Sequence, residues 1–151
     1  MFWCAFSGEW SKMEPIVKND PNSVRFQLTE LGDTALHVAA DAGNTTFVKE
    51  LTKLMKTEDQ LIPNSQGMLP VHLAALSAHR AIVKHLCSQQ HLLDKMAYED
   101  IKKLFFMAIG NDMFVNHIVL CKNHVDRNHD QPPPPSYYNR RIICTLVQVA
   151  S

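Results

Sequence analysis

The sequence predicts an all-α solenoid of stacked helix–turn–helix units, and three observations carry that prediction. First, "GDTALHVAADAGNTTFVKEL" (residues 32–51) lies over "GMLPVHLAALSAHRAIVKHL" (residues 67–86) at a constant offset of 35, with no gap. Second, apolar residues within each copy fall at helical spacing. Third, the glycines recur at fixed phases of the repeat. Self-similarity over a few tens of residues marks an architecture in which each unit buries its apolar face only against its neighbours.

In the two clear copies Gly32 falls on Gly67, Leu36 on Val71, His37 on His72, Ala39 and Ala40 on Ala74 and Ala75, Val48 on Val83, Lys49 on Lys84 and Leu51 on Leu86. Leu36, Ala39, Ala40 and Gly43 sit at i, i+3, i+4 and i+7, one face of a short first helix. Phe47, Val48, Leu51, Leu54 and Met55 form the stripe of a second. Gly43 between them suits a left-handed helix C-cap, where a side chain adds a steric cost. The paired alanines allow close helix approach. Thr34 caps the first helix, and Pro70 presets the backbone at the same helix start in the next copy.

The opening "MFWCAFSGEW" belongs to the same pattern. It has no Lys or Arg before Lys12, and Ser7, Gly8 and Glu9 end its apolar run too early for a secretory signal. Stepping back by 35 places Gly43 on Gly8, Ala40 on Ala5, Val48 on Met13 and Leu51 on Ile16. Residues 2–7 are therefore expected to be the first helix of an earlier unit, clipped so that Met1 takes the place of Leu36. Pro15 then falls inside the second helix and is expected to shorten or kink it. Stepping forward by 33 brings Ala75 to Ala108, Leu73 to Phe106 and Val71 to Leu104, so "LFFMAIGNDMFVNHIVL" reads as a degenerate fourth copy. The five glycines test the scheme: Gly32 and Gly67 share one phase, Gly8 and Gly43 another, and Gly110 misses the second by one. The array is expected to span 1–125, in units of about 1–31, 32–66, 67–99 and 100–125. Residues 126–151, with four prolines at 132–135, fall outside the period and read as a disordered or aberrant tail; its last stretch, "RRIICTLVQVAS", is apolar enough for a strand or short helix.

Composition narrows the function. Fifteen Lys and Arg balance fifteen Asp and Glu, so the chain lacks the positive field expected of a nucleic-acid binder or an anionic-membrane binder. No apolar stretch approaches the roughly 20 residues of a membrane span. Four scattered cysteines fit a reducing compartment better than a disulfide scaffold, so a cytoplasmic chain is expected.

The pattern Gly-x-Thr-x-Leu-His-x-Ala-Ala-x-x-Gly, followed by Val and Leu at fixed distances, resembles the ankyrin repeat, whose period is about 33. Ala35 stands where that pattern has Pro, Leu69 where it has Thr, and Ala78 where it has Gly. More narrowly, "SGEWSKMEPIVKNDPNSVRFQLTELGDTALHVAADAGNTTFVKEL" and "LFFMAIGNDMF" resemble the amino-terminal ankyrin region of plant ankyrin proteins with a membrane-spanning carboxyl region, the accelerated-cell-death and salt-tolerance types. That likeness implies an interaction array on the cytosolic side of a membrane, linked to stress or defence signalling. The membrane helices and the Pro-Gly-Gly segment of that group are not in these 151 residues.

Eight histidines raise the question of chemistry. His37 and His72 share a phase at which the ankyrin pattern uses imidazole to bond backbone in neighbouring turns. Cys121, His124 and His129, spaced C-x2-H-x4-H, are the alternative reading: three ligands of a small zinc- or redox-dependent regulator, with Cys87 and His91 as the nearest supplement. No nucleophile elbow, phosphate-binding glycine loop or H-E-x-x-H is present, so no catalytic residue, cofactor or small-molecule substrate is expected. The expected partner is a protein or peptide. By the ankyrin pattern, its groove is lined by Val38, Asp41 and Ala42, by Leu73, Leu76 and Ser77, and by Phe106, Ile109 and Gly110. The projecting turns add Glu30, Leu31 and Asp33, then Ser65, Gln66 and Met68. Leu73, Leu76, Phe106 and Ile109 would make an apolar strip, unless the last unit rotates to bury them.

Overall fold

The computed structural model describes residues 1–89 and 92–110. Among them are eight α-helices and no strand: α1 (Phe2–Ser7), α2 (Trp10–Asn19), α3 (Ala35–Asp41), α4 (Thr45–Leu54), α5 (Pro70–Leu76), α6 (Arg80–Ser88), α7 (Leu92–Lys95) and α8 (Tyr98–Gly110). Two 3-10 turns, Pro21–Arg25 and Glu58–Leu61, follow α2 and α4. The remainder of the degenerate copy, residues 111–125, and the tail at 126–151 lie outside the described residues.

Local chemistry sets the helix ends. α3 begins after Thr34, whose N–H donates to the Nδ1 of His37 three residues on, and α5 begins at Pro70, whose missing N–H leaves no donor unpaired at a helix start. α1 stops at Gly8 and the α3–α4 turn passes through Gly43, at φ 74° and 78°, a region that penalises any Cβ. The third unit has Ala78 at this phase and still adopts φ 58°. Its backbone is strained by the repeat, so Ala78→Gly is expected to raise stability by about 1 kcal/mol. Urea unfolding of the two proteins checks this.

Short turns fold each pair of helices back on itself, and the pairs stack. α1, α3, α5 and α8 pack in succession as one layer, while α2, α4 and α6 form a second. Equivalent residues meet equivalent surroundings. Ala5, Ala40, Ala75 and Ala108 are all fully buried, as are Met13, Val48 and Val83 one layer over. Phe47 and Leu51 on α4 have the counterparts Ile82 and Leu86 on α6, and all four are sealed. Each contributes about 1.5–3 kcal/mol by leaving water. In the first unit these two phases hold Lys12 and Ile16, both exposed.

Two local expectations change. α2 holds Pro15 within ten residues, the same length as α4, so proline does not shorten it. Ser11, whose carbonyl loses its partner, and Pro15 are both exposed, and water can take that bond. α8 starts six residues before Leu104, because Tyr98–Lys103 lack the Gly-containing turn that precedes α3 and α5 and continue as helix. Leu104 and Ala108 still pack where Val71 and Ala75 do.

Candidate partner-binding face

The links between units determine which side chains remain available. His37 is fully buried. Its Nε2 lies 3.0 Å from the Met68 carbonyl, which can only accept, so the proton sits on Nε2 and the bare Nδ1 accepts the Thr34 N–H at 3.2 Å. His72 repeats this one unit on, with the Leu69 N–H and the Asp100 carbonyl. These are the backbone-bonding roles expected from their shared phase.

A second series of links runs backwards and was not legible beforehand. Asn44 donates to the Ala5 and Phe6 carbonyls at 2.7 and 2.8 Å, and His79, 35 residues later, reaches the Asp41 carbonyl at 2.9 Å. Gly8 and Gly43 leave the space these side chains cross. A Cβ on Gly43 would lie 2.6 Å from the His79 ring, and one on Gly8 3.0 Å from Asn44.

The projecting turns are joined to each other. Asp33, half-buried, accepts from the Thr29 hydroxyl and from the Asn64 amide at 2.8 Å each. Asn64 in turn accepts the N–H groups of Gln66 and Met68, and the Ser65 N–H donates to the Leu31 carbonyl. Asn64 was overlooked in the sequence because its counterpart, Thr29, has a different side chain. Glu30, Leu31, Ser65 and Gln66 remain exposed, and Met68 is half-buried.

On the outward face of the first layer, Val38 is only 7% exposed, shielded between neighbouring units, and Asp41 is exposed and accepts the Ser77 hydroxyl at 2.6 Å. Leu73 is half-buried, Leu76 is 56% exposed and Phe106 61%. Ile109 falls within α8, with its side chain outside the described set. Trp3 and Phe6 share the phases of Val38 and Asp41 and are 72% and 53% exposed. With Phe2 they form a three-membered aromatic cluster, in which Phe6 stacks on Phe2 and Trp3 meets both rings edge to face. Trp3 and Phe6 were not placed on this face from the sequence, although the 35-residue offset sets them at these phases. Of the eight large hydrophobic residues that stay exposed among the described residues, Trp3, Phe6, Leu31, Leu76 and Phe106 belong to these helices and the adjoining turn. Exposed apolar side chains of this size are the kind that protein interfaces cover.

Cys87 is buried, and burial pushes its thiol up to about 12, so it stays protonated at neutral pH. No group of three His, Cys, Asp or Glu that could hold a metal ion occurs among the described residues; Cys121, His124 and His129 lie outside them. No described helix is long and apolar enough to cross a membrane.

Burial lowers the pKa of His37 and His72, against the opposing pull of the Met68 and Asp100 carbonyls and of the Asp33 and Asp100 carboxylates. His85, bonded to the Thr52 hydroxyl at 2.9 Å, is lowered by burial and then by Lys49 and Lys53. In the unfolded chain each histidine titrates near 6.5. A depressed folded pKa means that the unfolded chain takes up protons first. The stabilisation is therefore complete above about pH 6.5 and is lost as pH falls from there through the folded values. Thermal melts should be flat from pH 7 to 8, then fall on acidification by up to about 1.4 kcal/mol per pH unit for each histidine.

A family model described as ankyrin repeats, in three copies, matches residues 1–97. The chain belongs to the ankyrin repeat family. It is 40% identical over 73 residues to the ankyrin repeat-containing protein ITN1 of Arabidopsis thaliana, covering 48% of this chain and 12% of that protein. It is 30% identical over 79 residues to alpha-latrotoxin-Lh1a of Latrodectus hasselti, covering 52% of this chain and 6% of the toxin. The chain thus spans a small part of the length of either relative. Among solved structures it is similar in fold to a chain in the crystal structure of the yeast ribosomal protein Rps3 in complex with its chaperone Yar1. That match has a TM-score of 0.59 and 19% identity, over 89% of this chain and 94% of that one. Ankyrin repeats form protein–protein interaction modules, and the plant-type resemblance read from the sequence agrees with the Arabidopsis match.

Proposed function

We propose that this ankyrin array is a non-catalytic adaptor that holds an apolar segment of a partner protein across the outward face of α1, α3, α5 and α8. The concentration of exposed Trp3, Phe6, Leu76 and Phe106 on that layer carries the reading. Leu73, Leu76 and Phe106 form the strip at one end, Trp3 and Phe6 the other, and Asp41 supplies a polar point between them. Val38 acts by packing beneath the strip rather than by direct contact. Asp33, Gln66 and Met68 shape the projecting turns at its edge. The 40% identity to the Arabidopsis protein, with the resemblance to plant ankyrin–membrane proteins, supports a setting in stress or defence signalling. There the array would work in the cytoplasm, at the cytosolic side of a membrane when joined to a longer protein.

The double variant Leu73→Asp, Leu76→Asp tests the strip. Affinity capture from native extract with the unaltered chain as bait supplies the partner, and the variant is expected to lose it with little change in melting temperature. Collapse of the fold would show instead that these side chains serve the core.

A further inference from the structure

The second layer carries charge that the fold does not use. On α4, Lys49 and Lys53 stand four residues apart, a spacing at which like charges on one helix repel. Both are exposed, and both add to burial in lowering the pKa of His85, so the two ammoniums sit close to the adjacent α6. Lys84, one repeat beyond Lys49, is exposed on α6 itself. Lys53 is matched by Glu50 at 2.7 Å, whereas among the described residues neither Lys49 nor Lys84 has an ion-pair partner. The row is short. In the first unit the same phase holds Glu14, which pairs with Lys18. A grouping that opposes a local helix preference, with no gain in packing, is the kind of exception that functional sites keep.

Independently of the apolar face, we infer that the outward surface of α4 and α6 binds an acidic segment of a partner protein, with Lys49 and Lys84 each receiving a carboxylate. The dimensions select the ligand. Neighbouring helices lie about 8–10 Å apart. An extended polyproline-type chain rises about 3.1 Å per residue with about three residues per turn, which presents every third side chain on one edge at intervals of about 9 Å. Carboxylates at i and i+3 of such a chain therefore meet the successive lysines. A nucleic-acid duplex or an anionic bilayer is a poorer match, because Glu14 and Glu50 interrupt the cations and would face its phosphates. With Lys53 held by Glu50, Lys49 is left to the ligand, and the arriving carboxylate offsets the repulsion within α4.

Fluorescence anisotropy of a labelled peptide of Glu-Pro-Pro repeats, titrated with the full-length chain, tests the site against a control peptide of Lys-Pro-Pro repeats. The acidic peptide is expected to bind and the basic one is not. Lys49→Glu with Lys84→Glu is expected to weaken binding by at least about tenfold, as two attractions become repulsions. Affinity should also fall severalfold between about 20 mM and about 150 mM salt, as the Debye length shortens. Lys49→Glu alone separates binding from folding. A Glu four residues before Lys53 is the favourable order on a helix, so this variant should melt no lower than the unaltered chain while losing the peptide. The variant Leu73→Asp, Leu76→Asp leaves this surface intact and should bind the peptide normally. No binding of the acidic peptide, or equal binding by the double lysine variant, overturns the inference. A melting temperature lowered by Lys49→Glu overturns it by assigning the lysine to the fold, and loss of the peptide from a folded Leu73→Asp, Leu76→Asp variant overturns it by placing the peptide on the apolar face. Tighter binding to phosphatidylserine vesicles than to the peptide, lost in the double lysine variant, overturns it in favour of a membrane surface.

Discussion

His37→Leu is expected to cost about 3–5 kcal/mol, because it removes one acceptor and one donor from a fully buried side-chain position. Leucine fills much of the same volume, so the loss is polar rather than a cavity. The Thr34 N–H and the Met68 carbonyl, now held at 3.2 and 3.0 Å by the two ring nitrogens, would be left unpaired. The first belongs to the start of α3 and the second to the next unit, so one substitution loosens a helix end and an interface together. Against a total stability of about 5–15 kcal/mol, this brings the chain close to unfolding. Urea denaturation measures the loss. The same variant should also show a shallower fall of stability below pH 6.5, since one of the depressed imidazoles is gone. An unchanged pH profile would mean that His37 is not the titrating group.

Gly43→Ala is expected to destabilise by about 2–3 kcal/mol. Adopting φ 78° costs a residue with a Cβ about 1–2 kcal/mol. The new methyl would also lie 2.6 Å from the His79 ring, which must swing away and give up the Asp41 carbonyl. Losing a bond of this kind costs about 0.5–1.5 kcal/mol. The two effects share a partner, so the double variant Gly43→Ala, His79→Ala should be less destabilised than the two singles combined. Strict additivity in a double-mutant cycle would show that the glycine and the histidine act separately. Ala78 provides the contrast, since it tolerates the same backbone conformation and Gly is expected to improve it.

The repeat was legible because its evidence is redundant. The offset that pairs Ala40 with Ala75 also pairs Phe47 with Ile82 and Gly43 with Gly8, and each pair lands in matching surroundings. The degenerate copy was legible only at Leu104 and Ala108, where burial allows few residue types. Its start was not, because helix continuation through Asp100–Lys103 follows from the absence of a turn signal rather than from any positive pattern. The linking role of His37 followed from the ankyrin resemblance, whereas that of Asn44 was not read, since Asn and His perform it with different side chains. Leu76 and Phe106, placed on the outward face by the ankyrin pattern, are exposed. Val38, placed on the same face, is only 7% exposed, because a helix position that is open at an end of the stack is shielded between two neighbours. Trp3 and Phe6 were available from the same offset.

Methyl and aromatic nuclear Overhauser contacts in the labelled full-length chain test the stacked arrangement most directly. Cross-peaks should join α1 to α3, α3 to α5 and α5 to α8, with Ala5, Ala40, Ala75 and Ala108 each seen only by adjacent units and none running from α1 to α8. Direct contact between Trp3 or Phe6 and the side chains of α8 would mean that the helices close into a single globule, and the account of an open face would be wrong.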